Sequence, residues 1–213
     1  MTVMNIPKKI FLVALLLTSI STTLHAQTKY RIGLQISPNI AYMPLDDVNS
    51  SNAFNVGFGL TFARYFDERY SVQSGIDALA LGSTIQSGSE QISFSASYIQ
   101  IPLTLKMKTI DFGQWTLFAR VGGSLGVKYI ETVELSDPDI SNLGENDPIV
   151  DPFLLSFLGS IGAEYDLGIE SSLVLSLDFN RSLLNQLNPR HFDVLSNQQP
   201  RLTWFTFNIG IIF

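Results

Sequence analysis

The sequence has no cysteine, and this absence excludes several kinds of chemistry at once. Disulfide bonds, thiolate metal sites and thiol nucleophiles are impossible in this chain, and so is the lipid attachment of a lipoprotein. Basic residues are also scarce, because 13 Lys and Arg stand against 19 Asp and Glu, for a formal net charge of −6. An acidic chain without a basic cluster predicts that nucleic acid is not a partner.

Long hydrophobic runs are missing as well, although 46% of the 213 residues are hydrophobic. The apolar run at 10–17 is far shorter than the roughly 20 residues of a spanning helix, which argues against a membrane anchor. It follows Lys8 and Lys9 and precedes a small residue, Ala26. A basic head, a short apolar core and a small residue are typical of a secretory signal peptide. We therefore predict that 1–26 is a signal peptide and 27–213 the mature domain.

Beyond residue 28, eight segments alternate apolar and polar residues, as strands of a transmembrane barrel do. Each is long enough for the roughly 9–11 tilted residues that cross a bilayer. The predicted strands are 29–42, 53–66, 70–81, 93–108, 114–130, 152–166, 171–183 and 199–213. The gaps alternate between long ones, at 43–52, 82–92, 131–151 and 184–198, and short ones, at 67–69, 109–113 and 167–170.

This alternation predicts an all-β fold, an eight-stranded antiparallel transmembrane β-barrel in the bacterial outer membrane, with tight periplasmic turns and longer outer loops. Six or ten strands would require one misread connection. On the last strand Thr203, Phe205 and Ile209 share a face that is predicted to meet lipid. A soluble lipocalin-type barrel would turn its apolar face inward instead. Aromatic girdles at the two interfaces are predicted from Tyr30, Phe66, Tyr70, Trp115, Tyr165 and Phe213 on the periplasmic side and Tyr42, Phe54, Tyr129 and Phe153 on the outer side.

Side chains of a strand alternate between its two faces, and we call the face on which a residue lies its parity. Charged residues whose parity is opposite to that of the lipid-facing side chains are predicted to point into the lumen. They are Arg31, Asp77, Lys106, Arg120, Glu164 and Asp178. An eight-stranded barrel is just wide enough to be filled by its own side chains, and unpaired charges there would be costly. We expect a paired network, with Arg120 serving both Asp77 and Asp178 near mid-height and the other three groups nearer the periplasm. A polar plug is favoured over the alternative, a proton or ion path.

Two arginines on the lipid-facing parity flank the fourth outer loop, Arg181 and Arg201. A guanidinium group matches the geometry of phosphate, so this pair is a predicted contact for lipopolysaccharide. Simple snorkelling of the side chains to the interface is the alternative.

The outer loops contain the remaining candidates for a chemical site. The mature chain keeps one histidine, His191, near Asp193 and Ser196, and a lone loop histidine indicates a solvated side chain rather than a catalytic base. Seven carboxylates could offer hard oxygen ligands to Ca²⁺; they are Glu131, Glu134, Asp137, Asp139, Glu145, Asp147 and Asp151. However, Asn142 stands where a calcium loop requires Gly, and Pro148 where it requires Glu. We therefore predict no enzyme, no metal site and no cofactor.

Three segments carry a resemblance to a known group. They are 98–106 (YIQIPLTLK), the glycine-spaced strand 118–126 (FARVGGSLG) and the aromatic C-terminus at Phe213. Together they resemble the PorT-like outer-membrane β-barrel family of Bacteroidetes-type bacteria, over essentially the whole mature chain. The resemblance implies an outer-membrane barrel, and a few members of that family serve the type IX protein secretion system.

The expected function is that of a small non-enzymatic barrel with a structural or interaction role, including an accessory role in type IX secretion. Expected partners are outer-membrane lipid and lipopolysaccharide, the barrel-assembly machinery that recognises an aromatic end such as Phe213, and secretion-system proteins. The alternative is a surface binder of a small ligand or Ca²⁺ through the outer loops. A pore is a third possibility.

Overall fold

The computed structural model describes residues 29–44, 49–87, 90–135, 150–168, 170–186 and 201–213. Within these ranges eight strands form a closed antiparallel barrel, in which each strand pairs with the next and β1 pairs with β8. The strands are β1 (Lys29–Tyr42), β2 (Asn49–Tyr65), β3 (Tyr70–Ser87), β4 (Glu90–Phe112), β5 (Trp115–Leu135), β6 (Phe153–Gly168), β7 (Ser171–Ser182) and β8 (Thr203–Ile212). The eight-stranded antiparallel barrel is therefore confirmed. The described part of the chain contains no helix that is long and apolar enough to cross a membrane.

Several strands are longer than their sequence pattern predicts. The predicted outer connection 82–92 is mostly strand, because β3 continues to Ser87, which pairs directly with Glu90 at the start of β4. The predicted turn 109–113 is also mostly strand, and the turn itself lies at Gly113 and Gln114. With these extensions β3 has 18 residues and β4 has 23, more than the roughly 9–11 residues that cross a bilayer. A strand beyond the bilayer has no lipid to face, so its sequence need not alternate.

Both ends of the described barrel lie on the same side. The backbone N–H of Ile32 donates to the carbonyl of Phe213 and the N–H of Phe213 donates to the carbonyl of Ile32, at 3.1 and 2.8 Å. The connections on this side are short, at 66–69, 113–114 and 169–170. Short turns mark the periplasmic end of an outer-membrane barrel, so we orient the termini toward the periplasm.

The outer surface of the barrel is apolar, and the strands alternate between exposed and buried side chains. Phe54 is 68% exposed and Ile161 67%, whereas Lys106 is 1% exposed on the inward face. Aromatic rings pair at the periplasmic rim, where the Trp115 and Tyr165 centroids are 4.8 Å apart. An apolar exterior with aromatic ends is suited to a surrounding bilayer.

One residue on the predicted lipid-facing face is buried. Thr203 is 3% exposed, although its parity places it with Phe205. It is the first residue of β8 and lies between two larger neighbours, Tyr42 on β1 and Arg181 on β7. The prediction that Thr203 meets lipid is therefore wrong, because parity does not account for the size of flanking side chains.

The outer part of the lumen is filled with apolar side chains. We call this group the outer plug; it consists of Ala41, Met43, Leu79, Leu81, Ala96, Tyr98, Val150, Leu154, Leu202 and Trp204. The Tyr98 hydroxyl donates to Gln186 Oε1 at 3.1 Å, which satisfies a buried polar group of the plug. The sequence pattern predicts a polar interior throughout, and the outer plug departs from that expectation.

Close packing of β4 against β5 explains why a glycine occupies position 122 in the glycine-spaced part of β5. A Cβ added there would lie 2.1 Å from the Leu103 carbonyl oxygen and 2.7 Å from the Thr104 Cα, both backbone atoms of β4. We predict that Gly122→Ala lowers the free energy of unfolding by about 1–3 kcal/mol, the usual cost of overpacking. Urea unfolding of the folded barrel measures it.

Gly159 provides the control for this substitution. Its added Cβ would meet nothing closer than the Phe157 Cε1 atom at 3.5 Å, an ordinary contact. Gly159→Ala should therefore leave stability unchanged or raise it slightly, since alanine restricts the unfolded chain. Equal losses for both substitutions would contradict the close approach of β4 and β5.

Candidate functional site

The structure places all six of the predicted lumen charges on inward-facing positions. Four of them are almost completely buried, at 1% exposure for Lys106, 3% for Glu164, 7% for Asp178 and 8% for Arg31. The remaining two, Asp77 and Arg120, are half-buried. Their ion pairs place five of these charges in two layers rather than in one continuous network, and Asp77 belongs to neither layer.

The layer nearer the termini is centred on one carboxylate. Glu164 makes short ion pairs with Lys106 and Lys108, and its Oε2 lies 3.9 Å from Arg31 Nη1. Three cations therefore share a single anion inside the barrel. Lys108 is absent from the predicted network because its strand was expected to end there. Its parity, shared with Lys106, is the signal that would have identified it.

Aromatic rings and backbone carbonyls stabilise these cations further. Lys106 Nζ lies 3.9 Å from the Phe118 ring centroid and Lys108 Nζ 4.9 Å from that of Tyr65, both within cation–π range. Arg31 Nη2 donates to the Glu170 carbonyl at 2.6 Å and to Ser172 Oγ at 3.0 Å. The buried Nε of Arg31 has no partner.

The second layer is a hydrogen-bonded ion pair between β5 and β7. Arg120 Nη2 lies 2.9 Å from Asp178 Oδ1 and 3.2 Å from Oδ2. Two serines complete the shell of the carboxylate, since Ser160 Oγ and Ser176 Oγ donate to Oδ1 at 2.6 and 3.0 Å. A buried pair whose lone pairs are satisfied in this way offsets more of its desolvation cost than a bare pair.

Asp77 is separate from that pair. Its Oδ1 accepts from Gln35 Nε2 at 3.1 Å, and its Oδ2 accepts from Gln100 Nε2 at 3.5 Å. The expectation that Arg120 serves both carboxylates is thus wrong, because its guanidinium contacts Asp178 on β7, and the amides of Gln35 and Gln100 donate to Asp77. The Gln100 amide can donate here, whereas an ionised carboxylate could not.

Little free volume remains between the two layers and the outer plug. The internal cavity beside Asp77 and Asp178 measures about 30 Å³, enough for about one water molecule. Other inward side chains bond to one another, as Ser37 Oγ does to Asn208 Oδ1 and Ser124 Oγ to Gln100 Oε1. Across the described residues the lumen is filled by side chains rather than by an aqueous channel.

The periplasmic end is open. A polar cavity of about 450 Å³, which we call the vestibule, extends inward from this end to Glu164. Its lining consists of Lys29, Arg31, Glu68, Arg69, Lys108, Thr109, Ile110, Asp111, Gly113, Gln114, Thr116, Glu164, Asp166, Gly168, Glu170 and Ser172. This polar cavity therefore faces the periplasm, not the outer medium.

The two predicted lipopolysaccharide contacts occupy different environments. Arg181 is exposed on the outward face of β7, whereas Arg201 is half-buried and lies two residues before β8 begins. The buried Nε of Arg201 has no hydrogen-bond partner. Arg201 is thus not part of the strand that was predicted to start at 199.

Most of the predicted outer-loop chemistry lies outside the described residues, as does the predicted signal peptide, 1–26. This holds for His191, Asp193 and Ser196, and for 136–149 of the acidic loop. At its described ends, Glu131 pairs with Lys128, and Asp151 Oδ1 accepts from the Phe153 N–H at 2.8 Å. No group of three potential metal ligands occurs in the part of the chain that the structure describes.

A closed eight-stranded barrel with an apolar exterior and a filled, charged lumen defines the class of small outer-membrane β-barrels. The chain belongs to the family described as "Outer membrane protein beta-barrel domain", whose sequence profile matches residues 24–188. The protein is therefore a small β-barrel of the bacterial outer membrane. Among curated proteins, none matches the sequence.

Solved structures share the fold. The chain is similar to the outer membrane protein OprG from Pseudomonas aeruginosa, with a TM-score of 0.58 and 11% identity, over 88% of this chain and 96% of OprG. It is also similar to Neisserial surface protein A, with a TM-score of 0.52 and 8% identity, over 88% of this chain and 98% of that one. At such identities the likeness extends to the fold alone.

Proposed function

We propose that this protein is a non-conducting, non-enzymatic barrel of the PorT-like group, which acts through contacts at its two ends. Within that role we assign it an accessory function in type IX protein secretion. The observation that carries the proposal is the filled lumen: two charged layers and the outer plug leave no aqueous path along the described barrel.

The segment that resembles the PorT-like family supports the non-conducting part of this proposal, because its inward side chains fill the lumen. Along 98–106, Tyr98 belongs to the outer plug, Gln100 donates to Asp77, and Lys106 pairs with Glu164. The alternate side chains Ile99, Ile101, Leu103 and Leu105 are exposed on the apolar exterior. The motif thus has a structural explanation that requires no catalytic residue.

Planar-bilayer recording tests the non-conducting part of the proposal. Because the lumen is filled along its length, the purified barrel should insert without discrete conductance steps. A general porin recorded in the same bilayers supplies the positive control. Reproducible open-channel currents from this barrel would show that the lumen conducts ions and would refute the non-conducting part of the proposal.

Deletion of the gene tests the secretion role separately. The deletion strain should lose export of type IX substrates, and expression of the intact chain should restore it. Cross-linking in intact cells should then recover secretion-system proteins bound to the barrel. Unchanged secretion after deletion would remove the accessory role and leave a structural barrel.

We also propose that Arg181 and Arg201 contact lipopolysaccharide phosphates. Arg181 is exposed on the outer face, and Arg201 is half-buried next to the start of β8, with no partner for its Nε among the described residues. The double substitution Arg181→Gln and Arg201→Gln should cost about 1.5–3 kcal/mol more in lipopolysaccharide bilayers than in neutral detergent, the usual range for charged hydrogen bonds. Arg64→Gln, an outward arginine at the periplasmic end, is the control. Equal losses in both media would leave snorkelling as a sufficient explanation.

A further inference from the structure

The vestibule has a positively charged base. Arg31, Lys106 and Lys108 share the one carboxylate of Glu164, which leaves a formal surplus of two positive charges. Lys106 lies behind the other groups and does not line the cavity, whereas Arg31 and Lys108 do. Their side chains are 10% and 13% exposed, so both cations are reachable from the vestibule.

The mouth of the vestibule has the opposite charge. Its charged residues are all exposed; four are acidic and two are basic, namely Glu68, Asp111, Asp166, Glu170, Lys29 and Arg69. Lys29 and Glu170 neutralise each other in an ion pair of 3.3 Å. The remaining groups still carry an excess of negative charge, so the cavity is positive inside and negative at its entrance.

Two features of the base favour the binding of an anion. The Nε of Arg31 is buried and has no partner, although the same guanidinium donates three other hydrogen bonds. Surplus cations in a partly dehydrated site attract an anion more strongly than they would in bulk water. The cation–π contacts of Lys106 and Lys108 stabilise these cations but leave the net charge unchanged.

We propose that the vestibule binds a short zwitterionic ligand from the periplasm, with a carboxylate at Arg31 and Lys108 and a cationic group among the mouth carboxylates. The ligand class is a peptide with a free C-terminal carboxylate and a basic residue. The volume of about 450 Å³ falls within the usual range of small-ligand sites. This site lies at the periplasmic end and does not depend on the proposed secretion role.

The test is calorimetry on the folded, full-length barrel in zwitterionic detergent, with the tripeptide Gly-Gly-Lys as the probe. The free acid should bind, and its C-terminal amide should bind at least tenfold more weakly, because the amide lacks the charge that meets Arg31 and Lys108. Gly-Gly-Glu should also bind more weakly, since its side chain would meet the acidic mouth. Free lysine tests whether the site recognises the end of a peptide rather than a single amino acid. It should bind at least tenfold more weakly than the tripeptide.

Substitutions separate the site from a nonspecific charge effect. Lys108→Gln should weaken binding of Gly-Gly-Lys at least tenfold, and Glu68→Gln should weaken it several-fold by removing an exposed carboxylate of the mouth. Arg64→Gln removes the same charge as Lys108→Gln at the same end of the barrel, but from the lipid-facing side, and should change nothing. The heat-dependent mobility shift of folded barrels on gels checks that each variant has folded.

Three results would overturn the proposal. They are the absence of binding heat at millimolar tripeptide, equal affinity for the acid and the amide, and unchanged affinity in folded Lys108→Gln. Each of these leaves the barrel, its filled lumen and its proposed secretion role untouched, because none of those rests on an occupied vestibule.

Discussion

Replacing Arg120 with methionine is expected to lower the free energy of unfolding by about 3–5 kcal/mol. The change removes both contacts of Arg120 Nη2 with the Asp178 carboxylate, at 2.9 and 3.2 Å. Asp178 is 7% exposed, so bulk water does not solvate the carboxylate once its charged partner is lost. Ser160 and Ser176 would still donate to it, but neutral hydroxyls do not balance its charge. Urea titration of the barrel in lipid bilayers measures the loss.

A double-mutant cycle distinguishes the ion pair from lost packing of the long side chain. Asp178→Asn combined with Arg120→Met removes both charges and keeps an amide beside the two serines. The double variant should be more stable than the sum of the single losses predicts, since neither charge remains unpaired. Strictly additive losses would mean that the pair contributes no more than its two separate side chains.

Replacing Glu164 with glutamine is the second large effect, with an expected loss of about 3–5 kcal/mol. The glutamine has nearly the same shape but leaves Arg31, Lys106 and Lys108 without a negative charge. Lys106 is the most affected of the three, because it is 1% exposed and cannot turn into the vestibule. The same urea titration applies.

The exposed pair at the mouth supplies a matched control for this change. Glu170→Gln removes the same charge from the Lys29–Glu170 pair, whose side chains are 53% and 77% exposed. An exposed ion pair is worth about 0–1 kcal/mol, so this variant should be nearly as stable as the parent. If the two substitutions cost the same, the buried carboxylate would not be the centre of the periplasmic layer.

The strand number and six of the inward charges could be predicted from the sequence. Side chains alternate with a period of two along any strand, so parity alone assigned Lys106 and Glu164 to one side and Leu105 and Tyr165 to the other. The antiparallel order followed from connections that alternate in length. Neither step requires knowledge of which strands face each other across the lumen.

The ends of the strands could not be predicted in the same way. The rule for finding strands depends on a lipid-facing apolar row, and that row stops where the bilayer stops. Residues 82–92 therefore have the composition of a loop, although β3 and β4 continue there as a paired hairpin. Backbone hydrogen bonds between adjacent strands maintain the pairing whatever the side chains are.

The partners inside the lumen also required the closed barrel. Parity places Asp77, Arg120 and Asp178 in the same interior, but it does not predict which carboxylate the guanidinium group contacts. Strand tilt and shear set the relative heights of residues on different strands. In the folded barrel Arg120 meets Asp178, and the amides of Gln35 and Gln100 donate to Asp77.

The sequence by itself determined the architecture, the membrane and the inward or outward direction of most strand residues, because these depend on local periodicity and on the solvent around the barrel. Tertiary structure alone decided which charges pair, that Lys108 is the third cation at Glu164, and that Leu81 and Trp204 meet in the outer plug. Those contacts join residues distant in the chain. They exist only once shear and closure have brought the strands to their final heights.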